Sequence, residues 1–214
     1  MAQSRTTLIG WILTTVIIVG GIAGLVFLSG SPTGSGGNLP AVTTDDHLQG
    51  PATAPAMIVT YSDFQCPACS AYEPVLKGLK TEFGEKLTIV YRHFPLKTIH
   101  KYAEAAARAS EAANLQGKFW EMHDLLYDRQ RSWSVATDIN ETLAGYAKEL
   151  GLDTEKFATD YTGSSVKARV DRDVNDGLGL GVNSTPSFYL NGTKLSNPNS
   201  QEAFSKLIQE KIPS

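Results

Sequence analysis

The spacing of apolar positions changes several times along the chain, and each change marks an element. Leu8–Leu28 is apolar and carries no charged residue. As a helix rising ~1.5 Å per residue it spans ~31 Å, close to the thickness of a bilayer's hydrocarbon core. Gly30-Ser-Pro-Thr-Gly-Ser-Gly-Gly-Asn38 offers nothing to bury and reads as a flexible tether continuing to about residue 44, with a reach of ~20 Å. Met57–Tyr61 is short, β-branched and apolar, the pattern of a buried strand. Tyr72, Val75, Leu76, Leu79 and Phe83 then recur at helical spacing up to Gly84. Pro74 removes a backbone donor inside that helix and is expected to kink it. Leu87–Tyr91 is a second strand. A strand–helix–strand unit of this length implies a right-handed crossover and a parallel pair.

A long helical stretch follows, with helices predicted at Tyr102–Leu115, Lys118–Arg129, Ile139–Leu150 and Ser164–Leu178. Strand character returns at Ser187–Leu190. Asn191-Gly192 is a hairpin turn into a short strand at Thr193–Leu195, and a last helix is predicted at Gln201–Lys211. The order is β-α-β, a helical insertion at about 97–180, then β-β-α. It describes an α/β domain over 45–214, preceded by a tether (30–44) and an anchor (1–29).

Composition and charge narrow this picture. A 42% hydrophobic and 19% charged chain is globular. With 19 Lys+Arg against 22 Asp+Glu, its net charge is −3, which argues against a nucleic-acid partner, since phosphate binding needs clustered cations. Arg5 precedes the apolar run and no Lys or Arg follows until Lys77. The positive-inside bias therefore leaves the N-terminus in the cytoplasm and the body outside. The run is longer than the core of a cleaved signal. It reads as an uncleaved, single-pass anchor in the cell membrane.

Candidate chemistry gathers at Cys66-Pro67-Ala68-Cys69, between the first strand and its helix. Pro67 suits a first helical position. Cys66 then becomes the cap residue, its sulfur at the positive end of the helix dipole, where a thiolate is favoured. Cys69 is spaced to resolve a mixed disulfide formed at Cys66. As a structural staple the bond would close a very short loop, contributing ~2 kcal/mol against ~3 for a 15-residue loop. A zinc site would need two of His47, His93, His100 and His123 to join the two thiolates. A redox-active dithiol in an oxidising compartment fits better; no metal is expected and no cofactor beyond the Cys66–Cys69 disulfide. The histidines read otherwise as packing or hydrogen-bonding residues, and Asp45/Asp46 and Asp171/Asp173 as solvated surface.

Tyr61-Ser-Asp-Phe-Gln-Cys66-Pro-Ala-Cys69 resembles the active-site signature of the DsbA-type thioredoxin-fold proteins, in particular their membrane-anchored or secreted bacterial branch. The likeness continues through Tyr91-Arg-His-Phe-Pro-Leu96, Gln116-Gly-Lys-Phe-Trp-Glu-Met-His123 and Gly151-Leu-Asp153 to Gly181-Val-Asn-Ser-Thr-Pro-Ser-Phe-Tyr-Leu-Asn-Gly192. The resemblance implies a thioredoxin fold with an inserted helical domain. It also implies a cis Thr185–Pro186 bond facing the cysteines, with Thr185 and Pro186 pairing to an extended substrate chain. The implied activity is protein-disulfide oxidoreduction, donating disulfides to secreted or unfolded cysteine-containing polypeptides, with a membrane reoxidase as partner. A disulfide isomerase or reductase is the nearest alternative, and a non-enzymatic tethered binding or folding helper a more distant one. In one respect the chain departs from the pattern. Many family members place an acidic residue six positions before the first cysteine, where this chain has Thr60. Proton handling at Cys69 is therefore expected to use water and to be slower, and Asp63, read as a turn residue, offers no evident substitute.

Overall fold

The computed structural model describes residues 38–213; the anchor expected at 8–28 and the tether up to residue 37 lie outside them. The elements run β1 (His47–Gln49), β2 (Ala56–Ser62), α1 (Pro67–Phe83), a 3₁₀ turn (Gly84–Lys86) and β3 (Leu87–His93). The helical stretch comprises α2 (Ala103–Asn114), α3 (Phe119–Asp128), α4 (Gln130–Trp133), α5 (Ile139–Glu149), α6 (Thr154–Thr162) and α7 (Ser164–Gly179). The chain closes with β4 (Ser187–Leu190), β5 (Thr193–Lys194) and α8 (Gln201–Gln209). Among the described residues no helix is long and apolar enough to cross a membrane.

The strands form one mixed sheet in the order β1-β3-β2-β4-β5. β2 and β3 are parallel, Val59 beside Val90, as the crossover through α1 requires. β4 runs antiparallel to β2, Tyr189 beside Val59, and β1 antiparallel to β3. Asn191 (φ 47°) and Gly192 (φ 84°) both adopt the left-handed backbone of the predicted β4–β5 hairpin turn. α1 runs without a break through Pro74.

Both faces of the central strands are covered, which is why their sequences read as nearly continuous apolar runs. On one face Leu76 and Leu79 of α1 and Phe204 and Ile208 of α8 pack against Ile58, Leu87, Ile89 and Phe188. On the other, Val59, Tyr61, Val90 and Tyr189 meet Phe94, Leu180, Val182 and Val174. α7 approaches closely here: a Cβ on Gly177 would stand 2.8 Å from the Phe94 ring. Leu39 and Val42 pack against the same cluster, so residues 38–44, assigned by composition to the tether, lie on the domain. The helical insertion has its own core around Met122, Leu126, Trp133, Leu143 and Phe157, which reaches Phe64, Tyr91 and both cysteines.

Two surface assignments are corrected. Asp46 is buried because the Arg92 guanidinium grips both its carboxylate oxygens, at 2.9 and 3.1 Å. Asp173 is buried as well, paired with Arg169 one turn earlier and accepting the His93 backbone N–H at 2.9 Å. The cation for Asp46 comes from strand β3, far along the sequence, and that for Asp173 from the preceding turn of its own helix.

Candidate active site

The fold places the two cysteines at the junction of sheet and helical insertion. Pro67 opens α1 and Cys66 caps it with an extended backbone (φ −74°, ψ 120°), the geometry expected from the Pro67 spacing. Both cysteines are free thiols; Cys66 is 7% exposed and Cys69 only 1%. The Thr185–Pro186 peptide is cis. Thr185 is brought against Cys66, whose Sγ lies 3.4 Å from the Thr185 carbonyl oxygen. The sequence reading thus named four residues that the fold assembles, Cys66, Cys69, Thr185 and Pro186, with Pro67 and Ala68 forming the first turn of the helix.

The two sulfurs differ electrostatically. The Cys66 thiol is lowered to about 5. The Cys69 thiol donating to its sulfur is the main cause, with the Thr185 hydroxyl and the backbone N–H groups of Cys69 and Ala68 adding to it against the cost of burial. The Thr185 Oγ1 is buried with no hydrogen-bond partner, which leaves it free to donate. Cys69 moves the other way: burial first, then the neighbouring sulfur, pushes its thiol well above the ordinary range. The surroundings favour the thiolate at Cys66 and the protonated thiol at the more deeply buried Cys69.

Side chains from distant parts of the chain hold this loop. Gln130 Nε2 donates to the carbonyls of Phe64 (2.7 Å) and Cys66 (2.9 Å). Gln65 Oε1 accepts from the Tyr102 backbone N–H at 2.7 Å. Asp63, 1% exposed, accepts from the backbone N–H groups of Gln65 (2.7 Å) and Leu96 (2.9 Å) and bonds His100 Nδ1 at 2.7 Å. Sequence reasoning missed Gln65 and Gln130 because nothing local marks an amide that bonds a backbone group far away.

The histidines weighed as zinc ligands serve elsewhere. His47 and His93 both place Nε2 on Glu111 Oε1, at 2.7 and 2.8 Å. These three present ligand atoms within 4.8 Å of one another, a set of the kind that holds a metal ion. Positive charge is already present there, with Arg169 Nε 3.7 Å from the Glu111 carboxylate. Burial alone would raise the Glu111 carboxyl, but the bonds from both imidazoles outweigh it and hold it well below its usual range. His123 packs edge-on against Trp120 and bonds Asp124 at 3.1 Å.

Comparison with known proteins agrees with this geometry. The family described as Thioredoxin matches residues 42–210. A thioredoxin-like oxidoreductase from Silicibacter pomeroyi is 26% identical and superposes with a TM-score of 0.66 over 78% of this chain and 92% of its own. Oxidised BdbD from Bacillus subtilis is 19% identical, with a TM-score of 0.71 over 81% of this chain and 96% of that one. A Salinispora arenicola protein named Na(+)/H(+) antiporter NhaA 1 is 40% identical over 79% of this chain. The chain spans about a quarter of the length of such curated relatives, 25% in that case. The family match covers nearly the whole described domain, and the superpositions extend over about four fifths of the chain: the fold is a thioredoxin fold, and the chain belongs to the thioredoxin family.

Proposed function

We propose that this protein is a protein-disulfide oxidoreductase that donates the Cys66–Cys69 disulfide to extended, cysteine-containing polypeptides outside the cytoplasm. In this reading Leu8–Leu28 anchors it in the cell membrane, with its N-terminus in the cytoplasm. The observation that carries the proposal is the asymmetry of the two sulfurs. A substrate thiolate attacks Cys66 Sγ, the Cys66–Cys69 bond breaks, and Cys69 takes up a proton. A second substrate thiolate then attacks the substrate's own sulfur in the mixed disulfide, and Cys66 leaves as a thiolate. The substrate is oxidised by two electrons and the protein is left as a dithiol. A thiol lowered to about 5 is a good leaving group, and its stabilisation favours the dithiol product. A membrane reoxidase would restore the disulfide.

Two features support an unfolded chain as substrate. The Thr185 backbone beside Cys66 suits strand-like pairing with an extended segment. Ile99 (71% exposed) and Val135 (81% exposed) offer apolar side chains on the loops tied to the active-site loop through Asp63–His100 and Gln65–Ser134. The test is exchange with a reduced unfolded polypeptide, alongside the Cys66–Cys69 equilibrium with glutathione. The donor reading expects oxidation of the substrate by the wild type, none by Cys66→Ala, and an equilibrium favouring the dithiol. A pair that glutathione barely reduces would instead mark a reductase.

A further inference from the structure

The turn that presents Cys66 is closed locally through its N–H groups. The Cys66 N–H donates to the Asp63 carbonyl at 3.1 Å, and the Gln65 N–H to the Asp63 carboxylate at 2.7 Å. The carbonyls on either side of the loop need donors from elsewhere. Within α1 the Ser70 N–H reaches the Cys66 carbonyl at 3.2 Å, which occupies one of that oxygen's two lone pairs.

Gln130 supplies the rest. From a buried position its Nε2 gives one hydrogen to the Phe64 carbonyl and the other to the Cys66 carbonyl, at 2.7 and 2.9 Å. Both partners can only accept, so the amide's orientation is fixed by its chemistry. A neutral NH₂ group suits the place. Lysine or arginine would bury an unpaired charge, a hydroxyl would reach one carbonyl, and a carboxylate would repel both carbonyls and the Cys66 thiolate. The platform is firm. Gln130 opens α4, whose fully buried Trp133 donates its indole N–H to the Leu126 carbonyl at 2.6 Å. Just beyond, the Tyr102 hydroxyl donates to the Ala136 carbonyl at 2.8 Å. Segment 130–136, which carries exposed Val135, is thus pinned at both ends while it grips the Cys66 backbone.

We propose that Gln130 is a positioning residue for disulfide exchange: by fixing the Phe64 and Cys66 carbonyls it keeps the Cys66 sulfur over the first turn of α1. The inference rests on the redox reading above and deepens it. The mechanism is torsional. The Cys66 carbonyl moves with the helix and the Cys66 side chain does not, so rotation about the Cys66 ψ angle, 120° here, swings the sulfur off the helix end. Gln130 bonds the carbonyl beyond that angle and the carbonyl two residues before it, and so resists the rotation from both sides. The Ala68 and Cys69 N–H groups, which favour the thiolate, then stay within reach of the sulfur when the substrate expels it as a leaving group.

The experiment follows alkylation of Cys66 by iodoacetamide across pH 4 to 9 in the reduced wild type, Gln130→Met and Gln130→Glu. Methionine matches glutamine in length and donates nothing; glutamate adds an anion. The midpoint is expected to rise by about one pH unit in Gln130→Met and further in Gln130→Glu. The Cys66–Cys69 equilibrium with glutathione should move about tenfold toward the disulfide for each unit. Oxidation of a reduced unfolded polypeptide should slow about tenfold or more, as misplacement of a reacting group predicts. Gln130→Asn keeps the NH₂ group one methylene short; it should fall between wild type and Gln130→Met, and it carries the test if Gln130→Met does not fold. A midpoint and a glutathione equilibrium that stay at the wild-type values in the folded variants overturn the proposal, even where the melting temperature falls, because Gln130 would then serve stability alone. A wild type that fails to oxidise the polypeptide sinks the redox reading instead, and the alkylation midpoints still decide whether Gln130 poises Cys66.

Discussion

Cys66 is acidic because the Cys69 thiol, the Thr185 hydroxyl and the backbone N–H groups of Cys69 and Ala68 favour its thiolate against the cost of burial. The alkylation rate of reduced protein should therefore titrate with a midpoint near pH 5. Thr185→Val, which removes one hydroxyl donor to a charged sulfur (worth ~1.5–3 kcal/mol), should raise that midpoint by about one unit. A midpoint unmoved by the substitution would leave the Cys69 thiol and the backbone N–H groups as the causes. The same shift sets a stability trend. The folded pKa lies below the unfolded value of ~8.5, so the thiolate's contribution to the reduced form is present in full above that value. It is lost as pH falls toward 5. The melting temperature of the reduced form relative to the oxidised form should decline over that window, which paired melts at pH 8 and pH 5 would show. Cys66, Pro67 and Cys69 were legible because capping is local chemistry. Asp63 was not, because what makes it matter is a loop from residues 96–100.

Between elements, the most consequential contact is the one Glu111 makes from α2 to His47 on β1 and His93 at the end of β3. It ties the helical insertion to two strands of the sheet through one carboxylate. Glu111→Gln keeps the volume but removes the charge, leaving two buried imidazoles on a weaker acceptor and Arg169 with one carboxylate fewer beside it. The expected loss is about 2–4 kcal/mol in denaturant unfolding, with the slope against denaturant unchanged. A loss under 0.5 kcal/mol would show that packing alone joins the two layers. The long, strongly periodic helices and the central strands were readable from the sequence, since their burial repeats at one spacing. β1 was not, because three residues pairing with β3 carry no periodicity. α6 escaped for a different reason: it buries Phe157 alone, so its start is signalled by the Asp153 cap, which accepts from the Glu155 and Lys156 N–H groups at 3.0 and 2.9 Å.

At the scale of the whole molecule, the question is where the domain begins and what lies before it. Residues 38–44 resemble linker by composition, yet Arg92 Nη2 donates to the carbonyls of Pro40 and Ala41, each at 3.2 Å, while Leu39 and Val42 pack on the sheet. Arg92 is thus held by Asp46, Tyr61 and this strap together. A chain starting at residue 38 should keep full disulfide exchange and the stability of the longer chain. One starting at residue 45 should lose roughly 2–4 kcal/mol through two bonds to a buried guanidinium and two partly buried apolar side chains. The same pair of truncations tests the anchor. With Leu8–Leu28 present, the protein should remain with membranes through carbonate extraction, because an apolar stretch of that length inserts stably; from residue 38 onward it should appear in the supernatant with its exchange activity intact. Should the full chain be extracted as readily as the truncated one, the apolar run does not span the bilayer, and the tethering reading fails while the chemistry at Cys66 stands.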